Sequence, residues 1–88
     1  MDQITLLRKE IDIIDDNIIK LLNERVMISK NIGKIKKYNN INIICSNREN
    51  EIIDRLASNS YILPKNDILL IYNNIFNISK TYQLLENN

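Results

Sequence analysis

The 88-residue chain contains no histidine, one glycine and one cysteine, and these shortages close off most common catalytic designs. Without histidine there is no Ser-His-Asp or Cys-His nucleophile, and zinc loses its usual ligand set. Gly33 alone cannot build the glycine-rich turn that cradles a phosphate or a dinucleotide. No segment approaches the ~20 apolar residues of a membrane span. The opening MDQITLLRKE carries charges where a secretion signal needs an apolar core. A formal net charge of +1 supplies no broad field to draw nucleic acid or a membrane surface. The expectations are a cytoplasmic chain with Cys45 reduced, no nucleic-acid or membrane partner, and chemistry confined to Arg, Lys, carboxylate, amide and hydroxyl groups.

Against these absences stands one long periodicity. Steps of three and four residues outward from Arg25 meet Ile4, Leu7, Ile11, Ile14, Ile18, Leu21, Ile28, Ile32 and Ile35. That spacing predicts a continuous helix over about residues 3–37, roughly 50 Å long, with Asp2 as its cap and the polar run Tyr38–Asn42 as its end. Ser46-Asn-Arg-Glu49 spells a capping box and opens a second helix to about Asn59, carrying Ile52, Ile53 and Leu56 inward. Pro64 marks the entrance to a third helix ending near Leu85. The third helix has two adjacent apolar stripes, so it should pack against more than one neighbour. The fold class is all-α, one domain over 1–88, with one long and two shorter helices. About 13 and 21 residues of partner helix cannot wrap a first helix of that length, which predicts an oligomer, most simply a dimer.

Arg25 interrupts the aliphatic seam with a permanent cation, and a buried guanidinium without an anion costs several kcal/mol. Either an internal carboxylate such as Asp15, Glu49 or Glu51 neutralises it, or a ligand does. Lys36 lies eleven residues further on, about 20° around the helix, and shares its face. Arg8, seventeen residues away, lies some 25 Å along the axis and points elsewhere, so it can approach Arg25 only from another chain.

The remaining polar misfits each have a plain reading. Arg48 is a solvent-facing charge, Glu49 the capping-box partner of Ser46, Ser79 a hydroxyl bonded back to its own helix, Gln83 a surface amide and Cys45 an inert thiol. Lys30, Lys34, Lys36 and Lys37 form a solvated helix end. Gly33 costs roughly 1 kcal/mol relative to alanine inside a helix, which implies close backbone approach by a neighbour. Taken together, three arginines, a lysine, one carboxylate, one amide and one hydroxyl suit a small dicarboxylate bearing a hydroxyl group.

In their order along the chain these residues resemble the all-helical (type II) chorismate mutases of the shikimate pathway. The segments that carry the likeness are Leu7-Arg8-x-x-Ile11-Asp12-x-x-Asp15, Leu22-x-x-Arg25, Ile32-Gly33-x-x-Lys36, Arg48-Glu49 and Ser79-x-x-x-Gln83. The resemblance implies an intertwined homodimer and a cofactor- and metal-free Claisen rearrangement of chorismate to prephenate, on the route to phenylalanine and tyrosine. It implies that Arg25, with Arg8 from across the interface, binds the substrate carboxylates, and that Lys36 and Gln83 address the ether oxygen. Glu49 would hold the ring hydroxyl, helped by backbone near Cys45, a position where the family often has aspartate. Arg48 and Ser79 would line the ring-carboxylate side. The same scaffold resembles isochorismate-pyruvate lyases, from which Ser79 leans away, and a non-catalytic helical interaction or regulatory module is the alternative from another class.

Overall fold

A computed structural model describes residues 2–86. Three helices follow in order: α1 (Gln3–Tyr38), α2 (Ser46–Asn59) and α3 (Lys65–Glu86). No strand occurs among the described residues. No helix among them is long and apolar enough to cross a membrane.

Local chemistry explains where each helix starts and stops. Asp2 caps α1 by accepting the Thr5 amide hydrogen at 2.7 Å. At the other end Asn40 takes the left-handed conformation, φ 55°. Its amide bonds the Lys37 carbonyl at 3.3 Å and that of Ile41 bonds the Lys36 carbonyl at 2.8 Å, a Schellman closure that satisfies two of the terminal carbonyls. Asparagine tolerates that backbone better than most residues, so the polar run does end the helix.

The expected capping box is not formed. Cys45, not Ser46, occupies the cap position of α2 and makes no side-chain cap bond, which leaves Ser46 inside the first turn. Glu49 instead turns to the Lys80 ammonium at 3.0 Å, a charge-assisted contact stronger than a bond to a neutral amide. At α3 the Pro64 carbonyl accepts from the amides of Asp67 and Ile68, while Lys65 is tied back to Asp54 of α2 at 3.1 Å.

Helix α3 packs against both α1 and α2, which do not pack on each other, but it does so mainly through one stripe: Leu69, Tyr72, Phe76, Ser79 and Gln83 turn inward, while Ile71, Ile78 and Leu85 of the other stay exposed. The core is small: Ile52 and Ile53 of α2 meet Ile68 and Phe76 of α3, with Leu56, Leu69 and Tyr72 around them. Phe76 and Tyr72 add an edge-to-face contact, centroids 5.7 Å apart. A chain of this length folded into a sphere has a radius of gyration of about 12 Å. The observed 16.4 Å, with extents of 56 × 25 × 15 Å, describes a rod set by α1.

The aliphatic seam of α1 does not face this core. Ile4, Leu7, Ile11, Ile14, Leu21, Ile28 and Ile35 all stay more than half exposed. The stripe that α1 turns toward α3 lies just beside it and contains Arg25, Ser29, Gly33 and Lys36. Ser29 and Gly33 are the buried residues of the helix. Gly33 is there because the backbones of α1 and α3 touch: a Cβ at this position would sit 2.7 Å from the Gln83 Cα and 2.8 Å from its carbonyl oxygen. Close backbone approach is therefore the reason for the glycine.

Candidate active site

The inner stripe of α1, the first turn of α2 and the last turns of α3 enclose a cleft of about 560 Å³. Seven of the eight residues singled out above border it: Arg25, Lys36, Cys45, Arg48, Glu49, Ser79 and Gln83. Arg8 does not. It is exposed on the outer length of α1, and because α1 is unbroken it cannot fold back toward Arg25.

Arg25 is half-buried, and among the described residues it has no ion pair. Of the carboxylates that could have neutralised it, Glu49 is engaged with Lys80 and Glu51 with Arg48, while Asp15 is exposed ten residues earlier on α1, roughly 15 Å along the axis. What Arg25 does touch is the Phe76 ring, its guanidinium carbon 5.9 Å from the centroid. Such a contact contributes about 0.5–1 kcal/mol at an exposed site and steadies the fork without cancelling its charge. On the far side of Arg25 a second hollow of about 410 Å³ is walled almost entirely by apolar side chains, among them Ile18, Leu22, Ile71 and Ile75.

Lys36, eleven residues along, is half-buried and donates to the Ile43 carbonyl in the α1–α2 connection at 3.0 Å. It is not a free surface charge, and among the described residues it has no ion pair. Arg48 lies on the rim, its side chain 62% exposed and 3.5 Å from Glu51, so its plain reading as a solvent-facing charge agrees with its position. Cys45 is also exposed at the rim.

Deeper in, Ser79 and Gln83 depart from their plain readings. Both are buried. The Ser79 hydroxyl makes its bond to another helix, 2.7 Å from the Ser29 hydroxyl, and accepts from the Gln83 amide nitrogen at 3.3 Å. Bonding back to a carbonyl one turn earlier is instead what Ser58 and Thr81 do.

Two residues of the cleft escape a reading of the sequence, Ser29 and Lys80. Ser29 is four residues after Arg25 and four before Gly33, so the face shared by Arg25 and Lys36 contains it; counting only aliphatic positions passed it over. Lys80 and Ser79 lie three and four residues before Gln83, spacings that make each of them a neighbour of Gln83 on the helix surface. The lining residues bring four cations (Arg25, Lys36, Arg48, Lys80) against one carboxylate, Glu49. A cleft so composed attracts a compact anion and offers donors in several directions.

The sequence matches chorismate mutase type II over residues 7–84. The chain belongs to that family. Over 80 residues it is 41% identical to a bifunctional chorismate mutase/prephenate dehydratase of Aquifex aeolicus (strain VF5), a match that takes in 85% of this chain and 22% of that protein. The chain thus spans under a quarter of the length of that relative. Its fold is similar to that of the chorismate mutase from Helicobacter pylori crystallised in complex with prephenate, with a TM-score of 0.87 and 32% identity, covering 94% of this chain and 91% of that one. A conserved hypothetical protein from Pyrococcus furiosus is similar as well, with a TM-score of 0.79 and 38% identity over 94% of this chain and 97% of the other. The family match takes in nearly the whole helical framework, and the cleft described above falls within the matched residues.

Proposed function

We propose that the protein is a chorismate mutase, converting chorismate to prephenate with groups of the polypeptide alone. The observation that carries this reading is the charge imbalance of the cleft, above all Arg25, half-buried and, among the described residues, without an ion pair. A dicarboxylate substrate supplies the missing anion. Arg25 and Arg8 of the partner subunit take the two carboxylates. Arg48 and Ser79 face the ring-carboxylate side. Glu49, held by Lys80, accepts from the ring hydroxyl, with backbone near Cys45 beside it.

Lys36 and Gln83 are assigned to the ether oxygen. As its carbon–oxygen bond breaks, that oxygen gathers negative charge, so donors fixed there stabilise the transition state more than the ground state. Each donor of this kind contributes about 3–4 kcal/mol in comparable sites. Holding the carboxylates in the compact, reactive conformer supplies the orientational part of the rate.

The site is completed by dimerisation. The exposed aliphatic seam of α1 is continuous enough to pair two long helices, and wetting it is unfavourable. An antiparallel pairing also carries Arg8 of one chain toward the cleft of the other, which its ~25 Å separation from Arg25 along one helix forbids within a chain.

Separate incubation of the pure protein with chorismate and with isochorismate tests the reading. Prephenate from chorismate is the expected product. Salicylate and pyruvate from isochorismate, with chorismate left intact, would make it a lyase, and no turnover of either would make it a non-catalytic module.

A further inference from the structure

Ser29 has no part in the roles assigned above, yet it is the most deeply buried polar residue among the described residues, 4% exposed. We propose that Ser29 is a positioning residue, whose hydroxyl fixes the proton of Ser79 and, through Ser79, the amide of Gln83. The inference rests on the chorismate mutase reading for the identity of the reaction, though not for the geometry.

The argument follows from the number of bonds a serine hydroxyl can make, one as donor and two as acceptor. Gln83 donates to the Ser79 oxygen at 3.3 Å, which occupies one lone pair. Ser29 lies 2.7 Å from the same oxygen. When Ser29 donates, both lone pairs of Ser79 are filled, and the only bond left to Ser79 is its own O–H, directed into the cleft that it borders. Two donors into one oxygen polarise that O–H and strengthen its bond to an anion.

The same arrangement holds the Gln83 amide. With Ser79 accepting from Ser29 and donating to an anion, no proton of Ser79 remains for a Gln83 carbonyl. The amide must therefore present its nitrogen, and not its oxygen, to Ser79. Without Ser29, Ser79 can turn its proton onto an inverted Gln83 amide, which would face the developing oxyanion with an acceptor. The alternative role for Ser29 is that of a small residue, like Gly33 one turn on, that merely lets α1 approach α3. Ser29→Ala separates the two, since it keeps the size and removes the hydroxyl.

Steady-state kinetics of the intact protein should show kcat reduced about tenfold in Ser29→Ala, with a smaller change in KM, and a melting temperature lowered by roughly 4–8 °C, the shift expected for one lost buried hydrogen bond in a chain of this size. In a Ser79→Ala background the same substitution should change kcat by less than about twofold, because its effect runs through Ser79. An unaltered kcat in Ser29→Ala, or equal losses in both backgrounds, would overturn the proposal. The Gln83 side-chain amide signals in a ¹⁵N NMR spectrum provide a readout that needs no turnover. They should shift in Ser29→Ala, and unmoved signals would refute the proposal. If the parent protein leaves chorismate untouched while these signals shift, the functional reading fails and the positioning role stands.

Discussion

Replacing Gly33 with alanine sets two effects of known size against each other. Helix propensity alone favours the substitution by about 1 kcal/mol. The new methyl, however, would lie 2.7 Å from the Gln83 Cα, against 3.4 Å for the near edge of ordinary contact, an overlap of 3.4 − 2.7 = 0.7 Å. The atoms met are backbone, so no side-chain rotation relieves it and α3 has to move outward from α1. Overpacking of this kind costs roughly 1–3 kcal/mol. The expected sum runs from neutral to about 2 kcal/mol of destabilisation. Activity should suffer more than stability. The residue pushed away is Gln83 itself, and a displacement approaching 1 Å at a reacting group costs up to about 10²-fold, so kcat should fall at least tenfold. Thermal melting and prephenate formation measured on the same preparation decide the matter. An alanine variant about 1 kcal/mol more stable than its parent would refute the contact, and one destabilised as expected but with kcat intact would refute the role of Gln83.

Arg25→Leu should lose at least about 10²-fold in kcat/KM. Its stability should stay within about 1 kcal/mol of the parent, since the variant forfeits the Phe76 contact but no ion pair; unfolding would reveal an anionic partner. Chains bearing Arg8→Ala and chains bearing Arg25→Ala, inactive apart, should regain activity when refolded together, because a mixed dimer rebuilds one intact site. Verified heterodimers without activity would exclude a shared site. The Thr5 backbone amide, with smaller help from the Thr5 hydroxyl and the Ile4 amide, holds the Asp2 carboxyl below its ordinary value of 3.8. Its folded pKa is the lower one, so its stabilisation of α1 is complete above 3.8 and is lost as pH falls through the lowered value. Far-UV circular dichroism during acid titration should show a steeper loss of helix below about pH 4 than in Asp2→Asn, which keeps a cap but not the charge. Matching curves would deny the cap its electrostatic part.

Much of this architecture is legible in the residues. Three helices fall within a residue or so of where caps, turn formers and Pro64 place them, because those signals are local. Gly33 announces a close contact because glycine inside a helix has an evident cost. Arg25 and Lys36 come together because a helix converts a spacing of eleven into a shared face. What stays hidden depends on partners distant in sequence. A heptad count reports that α1 has an oily stripe without telling whether the stripe meets its own chain, and here the inward face is the adjoining one. Ser29 is invisible to such a count, being neither aliphatic nor charged. Glu49 satisfies the spelling of a capping box, but Lys80, thirty-one positions away, competes for it successfully.

The bond from Lys36 to the Ile43 carbonyl has a consequence for how the cleft would receive an anion. A lysine tip in water samples many rotamers, and stilling them costs up to about 2 kcal/mol. Here the connecting segment has already restrained the ammonium, while two of its three hydrogens remain for an incoming oxygen. The short stretch between the first two helices is thus a brace that lowers the entropic cost of docking, and lengthening or loosening it would blunt the reaction with every named side chain still in place.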